Sequence, residues 1–169
     1  MAETLDPLLP ERLDRLAREV LDLAKERDAP ISVAESCTGG LLAALLTDVQ
    51  GRSHMFERGF VVYSDGAKCD LLGIEREMVD DCGAVSRPVA LAMAKGALNR
   101  ADAGVALSVT GFAGPGGDDD EEGLVHFACV RDGGEPLHRE CHYGAVGRDG
   151  VRIAALETAL EMMRDALRA

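Results

Sequence analysis

The chain has 169 residues, 47% of them hydrophobic and only 4% aromatic, with a net charge of −12. A chain of this length buries about 70% of its unfolded surface, so one domain spanning residues 1–169 is expected, with a core of Ala, Leu and Val in place of rings. The charge repels a phosphate backbone, which argues against nucleic acid as a partner, and no apolar run reaches the roughly 18 residues of a bilayer span.

The opening "MAETLDPLLPERLDR" lacks the basic-then-apolar layout of a secretory leader, so a cytoplasmic location is expected. Five cysteines, Cys37, Cys69, Cys82, Cys129 and Cys141, are scattered without a CxxC pair. They read as reduced and mostly buried, not as a disulfide framework or a thiolate metal site. Of the 18 basic residues only Lys25, Lys68 and Lys95 are lysine. An acidic, Lys-poor surface suits a salt-rich cytoplasm, where dense carboxylates keep a protein hydrated.

In chain order, Leu9 to Arg27 carries apolar residues at helical spacing, and Pro30 punctuates it. "ISVAE" reads as a buried strand and "LLAALLTDV" as the helix after Gly39 and Gly40. "MFERGFVVYS" reads as the second strand, after which Asp65 is positioned to cap a short helix stopped by Gly73. "IEREMVDDCG" is another short helix, and Ser86 with Pro88 opens a longer one. "GVALSVT" is a strand running into the loop "GFAGPGGDDDEEG". "LVHFACV" and "LHRECHY" flank a hairpin turn in "RDGGEP", and a helix from about Arg148 to Leu167 closes the chain. Helices interleaved with strands, plus the hairpin, predict an α/β fold with a mixed, mostly parallel sheet covered on both faces.

Three places carry candidate chemistry. In "ESCTGG", Ser36, Cys37 and Thr38 fall where a strand meets a helix, at the sheet edge where α/β proteins bind ligands. The helix start offers backbone N–H groups to an oxyanion or phosphate, and Gly39 and Gly40 let a ligand approach. Ser36 or Thr38 acting only as a helix cap is the competing reading. A serine nucleophile needs a base, and the four histidines form no recognisable triad. Lys68 in "YSDGAK" fits better, because a desolvated lysine can act as a base near neutrality and an arginine cannot. Tyr63 lies five residues before it, either edging the same pocket or packing in the core. "SVTGFAGPGG" repeats the pattern with Thr110, Gly111 and Gly114, a candidate anion nest or a surface turn. Arg148 and Arg152, four apart at a helix start, are rationalised by an anionic partner or stand as ordinary surface charge.

Together "AESCTGGLLAALLTD", "GFVVYSDGAKCDLLG", "GAVS", "SVTGFAGPGG" and "GRDGVR" resemble the CinA C-terminal domain family, in the same order from about Leu13 to Leu167. The resemblance implies a three-layer α/β/α sandwich that uses neither metal nor cofactor. It also implies hydrolysis of the carboxamide of nicotinamide mononucleotide to nicotinic acid mononucleotide and ammonia. By that resemblance Ser36 is the nucleophile and Lys68 its base, while Tyr63 and Thr110 line the pocket. Arg148 meets the substrate phosphate with Arg152 behind it, and Thr38 and the loops at Gly39, Gly40, Gly111 and Gly114 border the nucleotide. Cys37 is the rival nucleophile, and a non-catalytic module that binds a pyridine nucleotide is the rival function. A homo-oligomer is expected, with "LLAALL" and the first helix as candidate interface. Two departures fall on the nucleotide side: "DDDEE" replaces the family's longer Lys- and Pro-containing segment, and "YGAVGR" precedes the last helix where the family has Gly-Asp-Arg.

Overall fold

The computed structural model of the chain describes residues 9–169. Residues 1–8, which hold part of the stretch inspected for a leader, lie outside the described residues. The order is α1 (Glu11–Glu26), β1 (Ile31–Glu35), α2 (Leu41–Asp48), β2 (Phe56–Val61), α3 (Asp65–Leu72), α4 (Arg76–Cys82), α5 (Arg87–Asn99), β3 (Val105–Gly111), β4 (Leu124–Arg131), β5 (Leu137–His142) and α6 (Gly147–Arg168). A 3₁₀ turn at Ser53–Met55 joins α2 to β2.

The five strands lie in the order β2-β1-β3-β4-β5. β1 pairs in parallel with β2 and β3, and the β3-β4 and β4-β5 pairs are antiparallel. Two antiparallel steps return β5 to the direction of β1, so only β4 runs the other way. The carboxyl ends of β1, β2, β3 and β5 therefore share one sheet edge. β1 is an interior strand with helices over both faces of the sheet, which is why all five residues of "ISVAE" are buried.

Side chains alternate across the sheet. Val33, Leu107, Val109 and Phe127 pack with α1, α2 and α6, while Ala34, Ala106, Ala128 and Val130 pack with α3, α4 and α5. These two cores on opposite faces make the three-layer α/β/α sandwich. Ala and Gly on α5 let that helix lie close to its neighbours: a Cβ at Gly96 would stand 2.4 Å from the Leu72 carbonyl oxygen.

Boundaries differ from expectation where caps decide them. α1 starts at Glu11, not Leu9, because Pro10 occupies the N-cap position. β2 stops at Val61, short of Ser64, because the chain turns there and the Ser64 hydroxyl accepts the Ala67 N–H. Ser64, not Asp65, is thus the cap of α3; Asp65 sits in the first turn, where its charge suits the helix dipole. Ser86 caps α5 by accepting the Val89 N–H, and Gly73 ends α3 at φ 68°. The five cysteines are free, with Cys37 and Cys129 buried, Cys69 and Cys141 half-buried and Cys82 exposed. Among the described residues no helix is long and apolar enough to cross a membrane.

Candidate active site

β1 is the switch point of the sheet, with β2 on one side and β3, reached from β2 through α3, α4 and α5, on the other, and ligands in open α/β sheets sit outside such a strand end. Ser36 is the first residue past it. Its N–H donates to Val109 O at 3.0 Å, which keeps it in line with β3. Alternation then separates two neighbours: Cys37 turns into the core under α6, and Ser36 Oγ faces α3 on the other side.

Lys68 reaches Ser36 from the first turn of α3. Its Nζ stands 3.3 Å from Ser36 Oγ, 3.1 Å from Val62 O and 3.4 Å from Tyr63 O. The residue is 1% exposed, one of the largest fully buried side chains in the protein. Burial disfavours the ammonium and lowers its pKa from the ordinary lysine value, against the opposing charge of Asp65. A neutral amine has two N–H bonds and one lone pair. With both N–H groups directed at main-chain carbonyls, the lone pair is left for the Ser36 hydroxyl proton.

Cys37 is unsuited to the same task. It is 4% exposed, and burial, aided by the Glu35 charge, pushes its thiol up to about 12. At neutral pH it holds its proton, although it lies just before the start of α2.

The principal feature that sequence reasoning missed is Glu35. This fully buried carboxylate accepts the Thr38 hydroxyl and the N–H groups of Gly40, Leu42 and Ala43, at 2.5, 3.2, 3.1 and 2.8 Å. The donors at the start of α2 are therefore occupied from within, and the expectation that they would hold an oxyanion or phosphate is corrected. Neither Ser36 nor Thr38 caps the helix. Gly40 takes the N-cap position at φ 100°, a left-handed conformation natural to glycine, and the Glu35 side chain supplies the acceptors. The one sequence signal was a lone charge closing an otherwise uncharged strand.

The remaining site residues gather at the same edge in unequal ways. Thr110 is buried, follows the line of Ser36 on the neighbouring strand, and donates its hydroxyl to Ala84 O at 2.9 Å. Tyr63 contributes its carbonyl to Lys68, while the residue is 64% exposed and its ring is not core. Gly111 is explained by packing: a Cβ there would stand 2.7 Å from Leu124 O on β4. Gly114 lies against the Arg148 guanidinium, and Gly39 against that of Arg152. Arg148 is exposed. Arg152 is half-buried and donates Nε–H to Cys37 O at 2.9 Å. A cleft of about 530 Å³ opens next to Thr110's partner Ala84, walled on its other side by Asp119, Asp120 and Glu121 of the acidic loop.

Opposite Thr110 on β4 stands His126, whose Nδ1 is 3.0 Å from His138 Nε2. Burial lowers both pKa values, so the pair is neutral near pH 7, one ring donating and the other accepting.

The model of the CinA C-terminal domain matches residues 13–167. The chain is 44% identical over 154 residues to a protein of Escherichia coli (strain K12) named nicotinamide-nucleotide amidohydrolase PncC, covering 89% of this chain and 92% of that one. It is 47% identical over 160 residues to a putative competence-damage inducible protein of Symbiobacterium thermophilum, covering 89% of this chain and 38% of the longer relative. Among solved structures, the competence/damage inducible protein CihA from Agrobacterium tumefaciens superposes with a TM-score of 0.91 at 44% identity, with both chains fully covered. With residues 13–167 matching the family's pattern and the fold shared, the chain belongs to the CinA C-terminal domain family.

Proposed function

We propose that this protein hydrolyses the carboxamide of nicotinamide mononucleotide to nicotinic acid mononucleotide and ammonia, in pyridine-nucleotide salvage, by acyl transfer through Ser36. The observation that carries the reading is the buried Lys68 Nζ at 3.3 Å from Ser36 Oγ, with its other contacts made to carbonyls. The name of the Escherichia coli relative supports the substrate.

In the first step Lys68 takes the Ser36 hydroxyl proton as Oγ bonds to the carboxamide carbon, and the carbonyl oxygen becomes an oxyanion. Collapse breaks the C–N bond, and Lys68 returns the proton to the leaving nitrogen, which departs as ammonia. Water then gives a proton to Lys68 and adds its oxygen to the ester carbon. Ser36 leaves with the proton restored, and the acid dissociates to carboxylate. Arg148 is assigned to the substrate phosphate. Thr110 and Tyr63 line the pocket, with Gly39, Gly40, Gly111 and Gly114 around the nucleotide.

Incubation of the protein with nicotinamide mononucleotide tests this. Ammonia and nicotinic acid mononucleotide are expected in equal amounts. Saturable binding of the nucleotide without ammonia would replace the enzyme with a nucleotide-binding module.

The setting we infer is a salt-rich, reducing cytoplasm, with the whole chain as one domain in a homo-oligomer and no nucleic-acid partner. The acid excess and the free cysteines support it. Stability is expected to rise from low to molar salt, and a flat or falling melting temperature would count against the salt-rich setting.

A further inference from the structure

The tetrahedral intermediate needs a donor for its oxyanion, and the start of α2 does not provide one. Glu35 takes the N–H groups of Gly40, Leu42 and Ala43. Gly39 N–H donates to Ser36 O, Leu41 N–H to Thr38 O, and Ser36 N–H to Val109 O. In the turn from Ser36 to Leu41, the Cys37 N–H faces its own sulfur, and the Thr38 N–H is left without an acceptor among the described residues.

Arg152 decides where the Thr38 N–H points. From the second turn of α6 it donates Nε–H to Cys37 O at 2.9 Å, across 115 residues of sequence. α6 packs on the α1 and α2 face of the sheet, while Ser36 Oγ and Lys68 Nζ meet on the opposite face. In a trans peptide the carbonyl and the following N–H point in opposite directions. A Cys37 carbonyl fixed toward α6 thus sends the Thr38 N–H away from α6.

We propose that Arg152 is a positioning residue: by fixing the Cys37 carbonyl on the α6 side, it aims the Thr38 N–H at the oxyanion that forms on the carboxamide beside Ser36. This rests on the acyl-transfer reading above and reassigns Arg152 from the substrate phosphate to the nucleophile turn. Its interaction is with the main chain, so its effect falls on the rate of acylation and not on nucleotide affinity. Loss of one oxyanion donor typically costs a hundredfold or more in kcat.

The test compares wild type with Arg152→Met, which keeps most of the side-chain bulk, and Arg152→Lys, which restores a donor. With nicotinamide mononucleotide, kcat of Arg152→Met is expected to fall about a hundredfold, with KM and the pH at which the rate rises unchanged. Arg152→Lys is expected to recover at least tenfold. A tenfold higher KM at preserved kcat would return Arg152 to the phosphate, and unchanged kinetics would remove its role altogether. Labelling of Ser36 by a fluorophosphonate is read in parallel, because its addition also builds charge on an oxygen beside Ser36. If wild type releases no ammonia, the proposed function fails, while at least tenfold slower labelling of Arg152→Met upholds the positioning role and equal labelling overturns it. Melting temperatures of the variants are taken alongside. Should Arg152→Met unfold, Arg152→Leu takes its place: a fall in kcat of about a hundredfold at unchanged KM upholds the role, and wild-type kcat in a folded Arg152→Leu overturns it.

Discussion

Lys68 Nζ and Ser36 Oγ meet at 3.3 Å although 32 residues separate them, because α3 starts directly after β2 and β2 pairs in parallel with the strand that ends before Ser36. Val62 N–H donates to Glu35 O at 2.8 Å, extending that pairing one residue beyond β2 and fixing the height of the two carbonyls that receive Lys68. The amine is anchored by backbone on one side and faces the alcohol on the other.

A pH dependence follows from this burial. The proposed acyl transfer needs neutral Lys68, so log kcat/KM is expected to rise with unit slope and to level off below the pH where an ordinary lysine titrates. Lys68→Arg, which stays charged, is expected to lose at least a thousandfold. The same shift makes stability pH-dependent: the unfolded chain binds more protons between the folded pKa and the ordinary lysine value. The stability cost of Lys68 is therefore full below the folded pKa and is relieved as pH rises through that window. Urea unfolding of wild type against Lys68→Met across pH checks the sign, with the difference shrinking as pH rises.

Glu35 ties the turn that follows β1 to α2 through one carboxylate and four donors. Glu35→Ala strands buried N–H groups and is expected to cost on the order of 3 kcal/mol. Denaturant midpoints provide the measurement, and a loss below about 1 kcal/mol would mean that water replaces the carboxylate without penalty.

Cys37 lies one residue from Ser36, the proposed nucleophile, and is expected to be chemically silent. With its thiol near 12 and its side chain in the core, iodoacetamide should leave it unmodified in the native protein at pH 8. Cys37→Ala should retain kcat within about threefold, with a stability loss of about 1 kcal/mol from the lost packing. Rapid alkylation at Cys37 accompanied by loss of activity would contradict both expectations.

Ser32 offers a change in the opposite direction. Its hydroxyl is buried on β1 and has no hydrogen-bond partner among the described residues. Ser32→Ala removes that desolvation cost and is expected to stabilise by about 1 kcal/mol, or roughly 3 °C in Tm for a chain of this size. A lower Tm would show that the hydroxyl is satisfied in solution.

Much of this architecture is readable from local pattern. The element order follows from apolar period and turn residues, and the hairpin from "RDGGEP", because these signals act over a few residues. Ser36 and Lys68 are legible from a strand end and from a lysine in an Arg-rich chain. The hidden parts are those set by distance or by backbone. Glu35 reaches donors up to eight residues downstream, so its capping role depends on the turn between. The contact of Arg152 with Cys37 depends on β5 running parallel to β1, which no local motif encodes. Tyr63 enters through a carbonyl that every residue type possesses.

The claim on which the rest depends is that Ser36 Oγ is the atom that attacks. Ammonia release from saturating nicotinamide mononucleotide by Ser36→Ala, at a pH above the rise in rate, tests it most directly. A fall of at least a thousandfold is expected in a folded variant. Turnover within tenfold of wild type would contradict it.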